Sequence, residues 1–439
     1  MASIAWNEQN AAHLLRRAAF GGTGAEIDQA VQDGLDLAVD KLINFESIPT
    51  GTLDSRLASY NLDLTTLQGI AQWWIYRMVY SPRPLEERMT LFLHDHFATA
   101  ISKVRLAELM LVQNNLFRRY ATGKFVDLTI DVSKDIAMLV WLDNYTSRKE
   151  HPNENYGREL LELFTLGQGY YSEPDVFSAA KAFTGWTYKG GDRSPDRTFL
   201  FVDAYHDHTQ KDFLGRVGDW NGDDIVRIAT GEFAHGRLIA GKLFSYLVYD
   251  SPDQTVIDNF ARIYLDSGTD LKVLVAAILK SPEMYSAQAL WTKVKSPVDH
   301  TVIGARQLLL TTDKLGRLSF NAMSLEGLTL FNPPDVSGWD DGLAWISAGA
   351  LLTRMNTAGS LAFYFDPAAF IAGQSFTTPG QMVDFFLRRL GPLDLAAGSR
   401  GQLINYVAPS GSLPNGTALL TKQRGLAHMI LSLPEWQTY

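Results

Sequence analysis

Gly21-Gly22-Thr23-Gly24-Ala25-Glu26 sets how the rest of the chain is read. The two glycines close one helical run, because glycine adopts the left-handed backbone that ends helices at no steric cost. The next four residues open another. Thr23 accepts from the amide three residues on and Glu26 reaches back to the Thr23 amide, the reciprocal pattern of a capping box. Ser172-Glu173-Pro174-Asp175 is a near variant with proline in the first turn, and Gly185 follows as a stop. Between such marks apolar residues recur at helical spacing. They predict helices over 7–19, 24–33, 65–80, 84–98, 104–121, 127–142, 154–166 and 173–184. Further helices are predicted over 222–230, 235–249, 254–266, 270–280, 296–310, 347–363, 379–390 and 416–432. The expected fold class is all-α, a large multi-helix globular bundle.

One stretch departs from this pattern. Trp186 to Asp219 is rich in glycine, aspartate and aromatics, and Thr198-Phe199-Leu200-Phe201-Val202 reads as a short strand, so a non-helical, partly β excursion is expected near 186–219. Phe331 to Trp339, with two prolines, reads as a second loop. The expected organisation is an N-terminal helical region over 1–185 with the polar motifs, the excursion over 186–220, a second helical region over 221–365 and a C-terminal helical lobe over 366–439, all within one compact body.

Composition bounds the chemistry. The chain has 439 residues, 46% of them apolar, and 39 Lys plus Arg against 48 Asp plus Glu give a net charge of −9. That balance suits a packed globule and argues against nucleic acid as a partner, since phosphate neutralisation needs clustered cations. There is no cysteine. Disulfides, thiolate nucleophiles, iron–sulfur clusters and Cys-ligated zinc are excluded, and any metal must sit on His, carboxylate or amide. The longest apolar runs fall far short of the ~20 residues of a membrane span. No secretory leader is visible, which points to the cytoplasm for a complete chain and to the periplasm or outside for one whose leader has been removed.

Several catalytic motifs are absent: no Gly-x-Ser-x-Gly, no His-Glu-x-x-His and no Gly-x-Gly-x-x-Gly after a strand. Gly236 to Leu243 approaches a phosphate loop but lies in a helical pattern, where the amides are already bonded. Three polar clusters remain. In Leu91-Phe92-Leu93-His94-Asp95-His96-Phe97, a regular helix turns the two imidazoles about 200° apart, so they cannot share an ion. His96 falls on the apolar stripe, either as a ligand or as a core histidine with one hydrogen bond. In Asn153 to Phe164, Asn155, Arg158, Glu159 and Glu162 fall within about 100° of helical arc, as a site or as a solvated face. In Tyr205-His206-Asp207-His208-Thr209-Gln210-Lys211, an extended backbone turns His206 and His208 to one side. This is the better metal pattern of the two His pairs, but spacing fixes no third ligand, and a solvent-exposed polar turn is the other reading.

Leu14 to Gly21, Leu91 to Thr99 with Lys103, Trp141 to Asn144, Pro152 to Tyr156 and Arg158 to Gly167 together resemble the bacterial domain of unknown function 1800 family. The likeness continues through Ala182 to Trp186, His206-Asp207 with Lys211, Lys295-Ser296-Pro297, Asn332-Pro333-Pro334, Gly338-Trp339, Trp345 and Leu351 to Asn356, and so covers nearly the whole chain. The resemblance implies a mostly helical protein without an established activity. Such proteins often carry an export signal and are often encoded beside a second family of sulfatase-like or phosphatase-like fold. Leu93 stands where the family usually has Trp, and His208 lies outside the family's pattern. His94, His96, Asp143, Asn153 to Asn155, Arg158, Glu159, Glu162, His206, Asp207 and Lys211 match it.

Two functions are consistent with these residues. In the first, the separated polar segments converge on one pocket and act as a hydrolase or transferase on a polar, carbohydrate-like substrate. Glu159, Arg158, Asp143 and Lys211 are then the catalytic candidates and Asn155, Trp186 and Trp339 bind substrate. His96, Glu162 and His206 would hold a divalent metal such as Zn, Mn or Fe, unless the chemistry is metal-free acid–base catalysis. In the second, the chain is a non-catalytic helical scaffold that binds a protein partner encoded nearby.

Overall fold

The computed structural model describes residues 4–191, 194–393, 395 and 398–439. Helices dominate, and the described strands form two small antiparallel hairpins. Both predicted caps are present. Thr23 and Glu26 exchange hydrogen bonds with each other's amides, and Ser172 and Asp175 do the same at the helix Glu173–Ala182. The buried apolar side chains form one cluster running from Ala11 to Trp436, with Trp186 and Phe213 contributed by the excursion. No helix among the described residues is long and apolar enough to cross a membrane.

Departures from the expected helices have local causes. The second helix runs on through Gly34, whose φ of 76° and ψ of 168° bend it, to Ile43. The segment expected over 127–142 is two helices, Phe125–Lys134 and Ile136–Trp141. Asp135 between them is extended, and its side chain accepts from the Met138 amide to cap the second. Gly51–Ser59, Ile101–Val104, Leu315–Leu325, Pro367–Ile371 and Ser399–Val407 are helical without having been expected. Most are short or carry glycine and serine, so tertiary packing holds them rather than propensity.

The segment expected as one helix over 154–166 matters most. It is α-helical from Glu154 to Glu159, then widens into a π-turn over Leu160–Thr165. The Thr165 hydroxyl donates five residues back to the Leu160 carbonyl at 2.6 Å. This leaves the carbonyls of Leu163, Phe164 and Thr165 to side chains: Lys242 Nζ at 3.3 Å, His96 Nε2 at 3.1 Å and His235 Nδ1 at 3.0 Å. π-turns inside helices are frequent at functional sites.

In the excursion, Thr198–Phe201 is the expected strand. It pairs antiparallel with Trp186–Lys189, Trp186 opposite Phe201. A second hairpin joins Lys211–Phe213 to Arg216–Gly218, with Lys211 opposite Gly218.

Candidate functional site

Four parts of the chain meet around a cavity of about 540 Å³. The helix Pro84–His96 opens with proline and two glutamates, which suit a helix N-terminus, and brings Leu91, Phe92, Asp95 and His96 to the wall from its last turns. The helix Phe233–Leu247 presents Leu238, Gly241, Lys242, Ser245 and Tyr246, a one-faced set by its three- and four-residue spacing. The loop through Ser337, Trp339, Asp341 and Trp345 forms a third side, and Lys293, Ser296, Asp299 and Tyr439 a fourth.

Two groups on this wall have unusual protonation. Burial pushes the Asp95 carboxyl up to about 6, while the Trp339 amide, donating to Oδ1 at 2.8 Å, and the nearby Lys242 ammonium pull the other way. Burial also lowers Lys242, with Asp95 opposing. The ammonium is held by the Leu163 carbonyl and by Nδ1 of His96 at 3.3 Å. Below them, Arg88 is bonded to Asp299, and Tyr439 donates to the same carboxylate at 3.0 Å. Burial alone would raise Asp299, but Arg88 outweighs it and holds the carboxylate below its usual range. The cavity floor is therefore a neutralised ion pair, and the free proton chemistry lies at Asp95 and Lys242.

The residues singled out in the sequence occupy three separate places. His96 and Trp339 line the cavity. Both nitrogens of His96 are engaged, Nδ1 by Lys242 and Nε2 by the Phe164 carbonyl, and burial lowers its pKa well below the usual value. His96 is thus a neutral imidazole passing a hydrogen bond between Lys242 and the π-turn, with no lone pair left for a metal. Glu162 accepts from Gln168 and from Tyr171 at 2.8 Å, so it does not join His96 in a metal site. Arg158 makes a two-pronged pair with Glu173 at 2.8 Å, and Glu159 stands half-buried beside it, its carboxyl raised by burial and by Glu162. Asp143 pairs with Lys103 at 2.7 Å and Asn155 reaches the Leu142 carbonyl at 3.4 Å. Trp186 is a core side chain between Phe183 and Phe199. His206 and Lys211 lie in the excursion, the lysine buried against Asp219. The contacts of these residues do not assemble the single pocket expected of them.

Asp95 and Lys242 went unrecognised as site residues. Asp95 sat between two histidines that drew attention to themselves. Lys242 stood in Gly236 to Leu243, where Gly236 serves close packing against Leu265 and Ala261 and Gly241 lines the cavity.

Over residues 13–438 the chain matches the family model described as protein of unknown function DUF1800. The chain belongs to that family. No curated protein and no solved structure matches it. The DUF1800 match spans every wall of the cavity except Tyr439, so the site is built almost wholly within the family's extent.

Proposed function

We propose that the cavity is the active site of an acid–base hydrolase or transferase acting on a polar, ring-bearing substrate of the carbohydrate kind. The observation that carries this reading is Asp95, a carboxyl raised to about 6 on the wall of a cavity within electrostatic reach of the Lys242 ammonium. A group that exchanges its proton near neutral pH is what general acid–base catalysis requires. Lys242 would stabilise negative charge developing on a substrate oxygen. Asp341, on the solvent side of the same cavity, is the second carboxylate, and two carboxylates in unlike surroundings are the usual equipment for glycoside chemistry. Trp339, Trp345 and Tyr246 supply ring faces on which a sugar can pack.

The test is turnover of 4-nitrophenyl glycosides and esters by the full chain and by Asp95→Asn. A substrate turned over by the wild type and not by a folded Asp95→Asn supports the reading. Equal turnover by the two, or no binding of any oligosaccharide to the wild type, removes it.

A second reading, association with a protein partner, rests on the helix Ala348–Tyr364. Leu352, Met355 and Phe363 fall within about 80° of its circumference, and Leu352 and Phe363 are 61% and 66% exposed. Apolar stripes of this kind mark contact surfaces. Leu352→Asp with Phe363→Asp should abolish co-purification of such a partner and leave folding intact; unchanged co-purification would count against it.

A further inference from the structure

Outside the cavity, His206, His208 and Asp219 place one ligand-type atom each within 4.8 Å of one another. They arrive by separate devices. His206 follows the turn Asp203–Tyr205 in extended conformation, and its ring Nδ1 donates to the Thr184 carbonyl at 2.8 Å. That bond fixes the tautomer, leaving Nε2 unprotonated. His208, two residues on, brings its ring centroid within 4.8 Å of the first. Its Nε2 faces Asp203 Oδ1 at 3.2 Å and its Nδ1 faces Asp219 Oδ2 at 3.8 Å. Asp219 follows the strand Arg216–Gly218, and because Gly218 pairs with Lys211, the hairpin carries Asp219 back to the histidines. The buried Lys211 donates to Asp219 Oδ1 at 3.1 Å, which leaves Oδ2 for the pair.

Each of the three side chains therefore has its outer atom held by something else: His206 by Thr184, His208 by Asp203, Asp219 by Lys211. Outer hydrogen bonds of this kind orient the ligands of transition metals and select their tautomers. A surface ion pair between His208 and its two aspartates accounts for none of the arrangement at His206, which is buried and has a ring nitrogen within 4.8 Å of ligand-type atoms of the other two.

We propose that His206, His208 and Asp219 bind a divalent transition cation of the zinc class, with water completing its coordination. Two imidazoles and one carboxylate without thiolate suit zinc and its neighbours rather than soft ions or calcium. Bonds of about 2.0–2.2 Å place tetrahedral ligand atoms roughly 3.3–3.6 Å apart, so the three must draw in. His208 and Asp219 can move, their side chains being 57% and 51% exposed, while His206 is the fixed point. The cation would fasten the second hairpin to the turn after the first. None of the three residues lines the cavity, so this site stands apart from the proposed active site.

The experiment uses the full chain, stripped with chelator and equilibrated with micromolar zinc chloride against a competing indicator. One equivalent of zinc and a raised melting temperature are expected. His208→Ala and Asp219→Asn alter exposed side chains and should keep the fold while weakening zinc binding by about 10–100-fold. His151→Ala, at an exposed histidine elsewhere, and Asp95→Asn should bind as the wild type does. Cobalt in place of zinc should give visible d–d bands that both ligand variants lose. Less than about a tenth of an equivalent in the wild type, or equal affinity in His208→Ala and Asp219→Asn, would overturn the proposal.

Discussion

The backbone N–H of Trp339 donates to Oδ1 of Asp95 at 2.8 Å, so the loop on one side of the cavity is fastened to the carboxyl proposed to act within it. Asparagine at 95 keeps an acceptor for that bond and removes the acid. Asp95→Asn should therefore fold, with stability within about 1 kcal/mol of the wild type at pH 4, where the wild type is itself protonated, and no lower than the wild type at pH 7, while turnover falls by about 100-fold or more. In the wild type, the alkaline limb of the pH–rate profile should turn near 6, where Asp95, its carboxyl raised by burial, gives up the proton it must donate. A limb that stays in place while other groups are varied, yet turns near 4, would assign the proton transfer to another residue.

Gly338, next to Trp339, has φ of +101°, and a Cβ there would stand 2.9 Å from the Asp95 carbonyl oxygen and closer still to Oδ1. Gly338→Ala thus combines left-handed strain with a collision against backbone, and the loop cannot keep its bond to Asp95. Expected is a loss of about 2–4 kcal/mol in urea unfolding, together with loss of substrate turnover. Gly349, which has open space where its Cβ would go and lies in a helix, is the control: Gly349→Ala should be neutral or stabilising.

These two residues also show what could and could not be read from sequence. Helix identity was legible because capping pairs such as Thr23 with Glu26 act within four residues, and the strand at Thr198 because its composition is local. The cavity was not, because it joins Asp95 to Trp339, 244 residues apart. The cluster at Asn155 to Glu162 looked like a site on an ideal helical wheel, but the π-turn breaks that wheel after Glu159, and the charges find partners at Glu173, Gln168 and Tyr171. For the His206 and His208 pair, spacing pointed to no third group, and Asp219 comes close only through the hairpin register.

Glu87 is the hub of a buried charge network. Its carboxylate accepts from Trp74 Nε1 at 3.0 Å, Arg77 Nε at 2.7 Å, and Arg118 Nε and Nη2 at 2.8 and 2.9 Å. Burial alone would raise the carboxyl, but Arg118 and Arg77 outweigh it and hold it below its usual range. Glu87→Gln keeps an acceptor for the indole but leaves two guanidinium groups without their shared counter-charge, and should cost about 3–5 kcal/mol. A depressed carboxyl contributes stability that is present above its unfolded pKa and lost as pH falls through the folded one. The penalty should thus be full at pH 7 and shrink in acid, where the wild type itself protonates. Denaturant midpoints at the two pH values measure this, and a pH-independent penalty would mean that Glu87 matters for packing alone.

Asp135 has the opposite sign. It is buried between the helices Phe125–Lys134 and Ile136–Trp141, where Oδ2 accepts from Gln113 Nε2 at 2.8 Å and from the Met138 amide at 3.1 Å. Burial outweighs those bonds and raises the carboxyl to about 7. The unfolded chain releases this proton near pH 4 and the folded chain holds it until about 7, so between those values the folded state binds more protons and stability falls as pH rises. Three pH units of difference set an upper bound of about 4 kcal/mol on the fall. Asparagine at 135 mimics the protonated acid. With its carbonyl in the place of Oδ2, it keeps both bonds, from Gln113 Nε2 and from the Met138 amide. Asp135→Asn should therefore match the wild type at pH 4 and gain on it steadily to pH 7, with no further gain above. The difference between the two denaturation curves isolates Asp135 from Asp95, which drifts the same way in both proteins, and from Glu87, which drifts the other way. A flat difference would mean that water reaches the carboxylate in solution and that the two helices open at their junction.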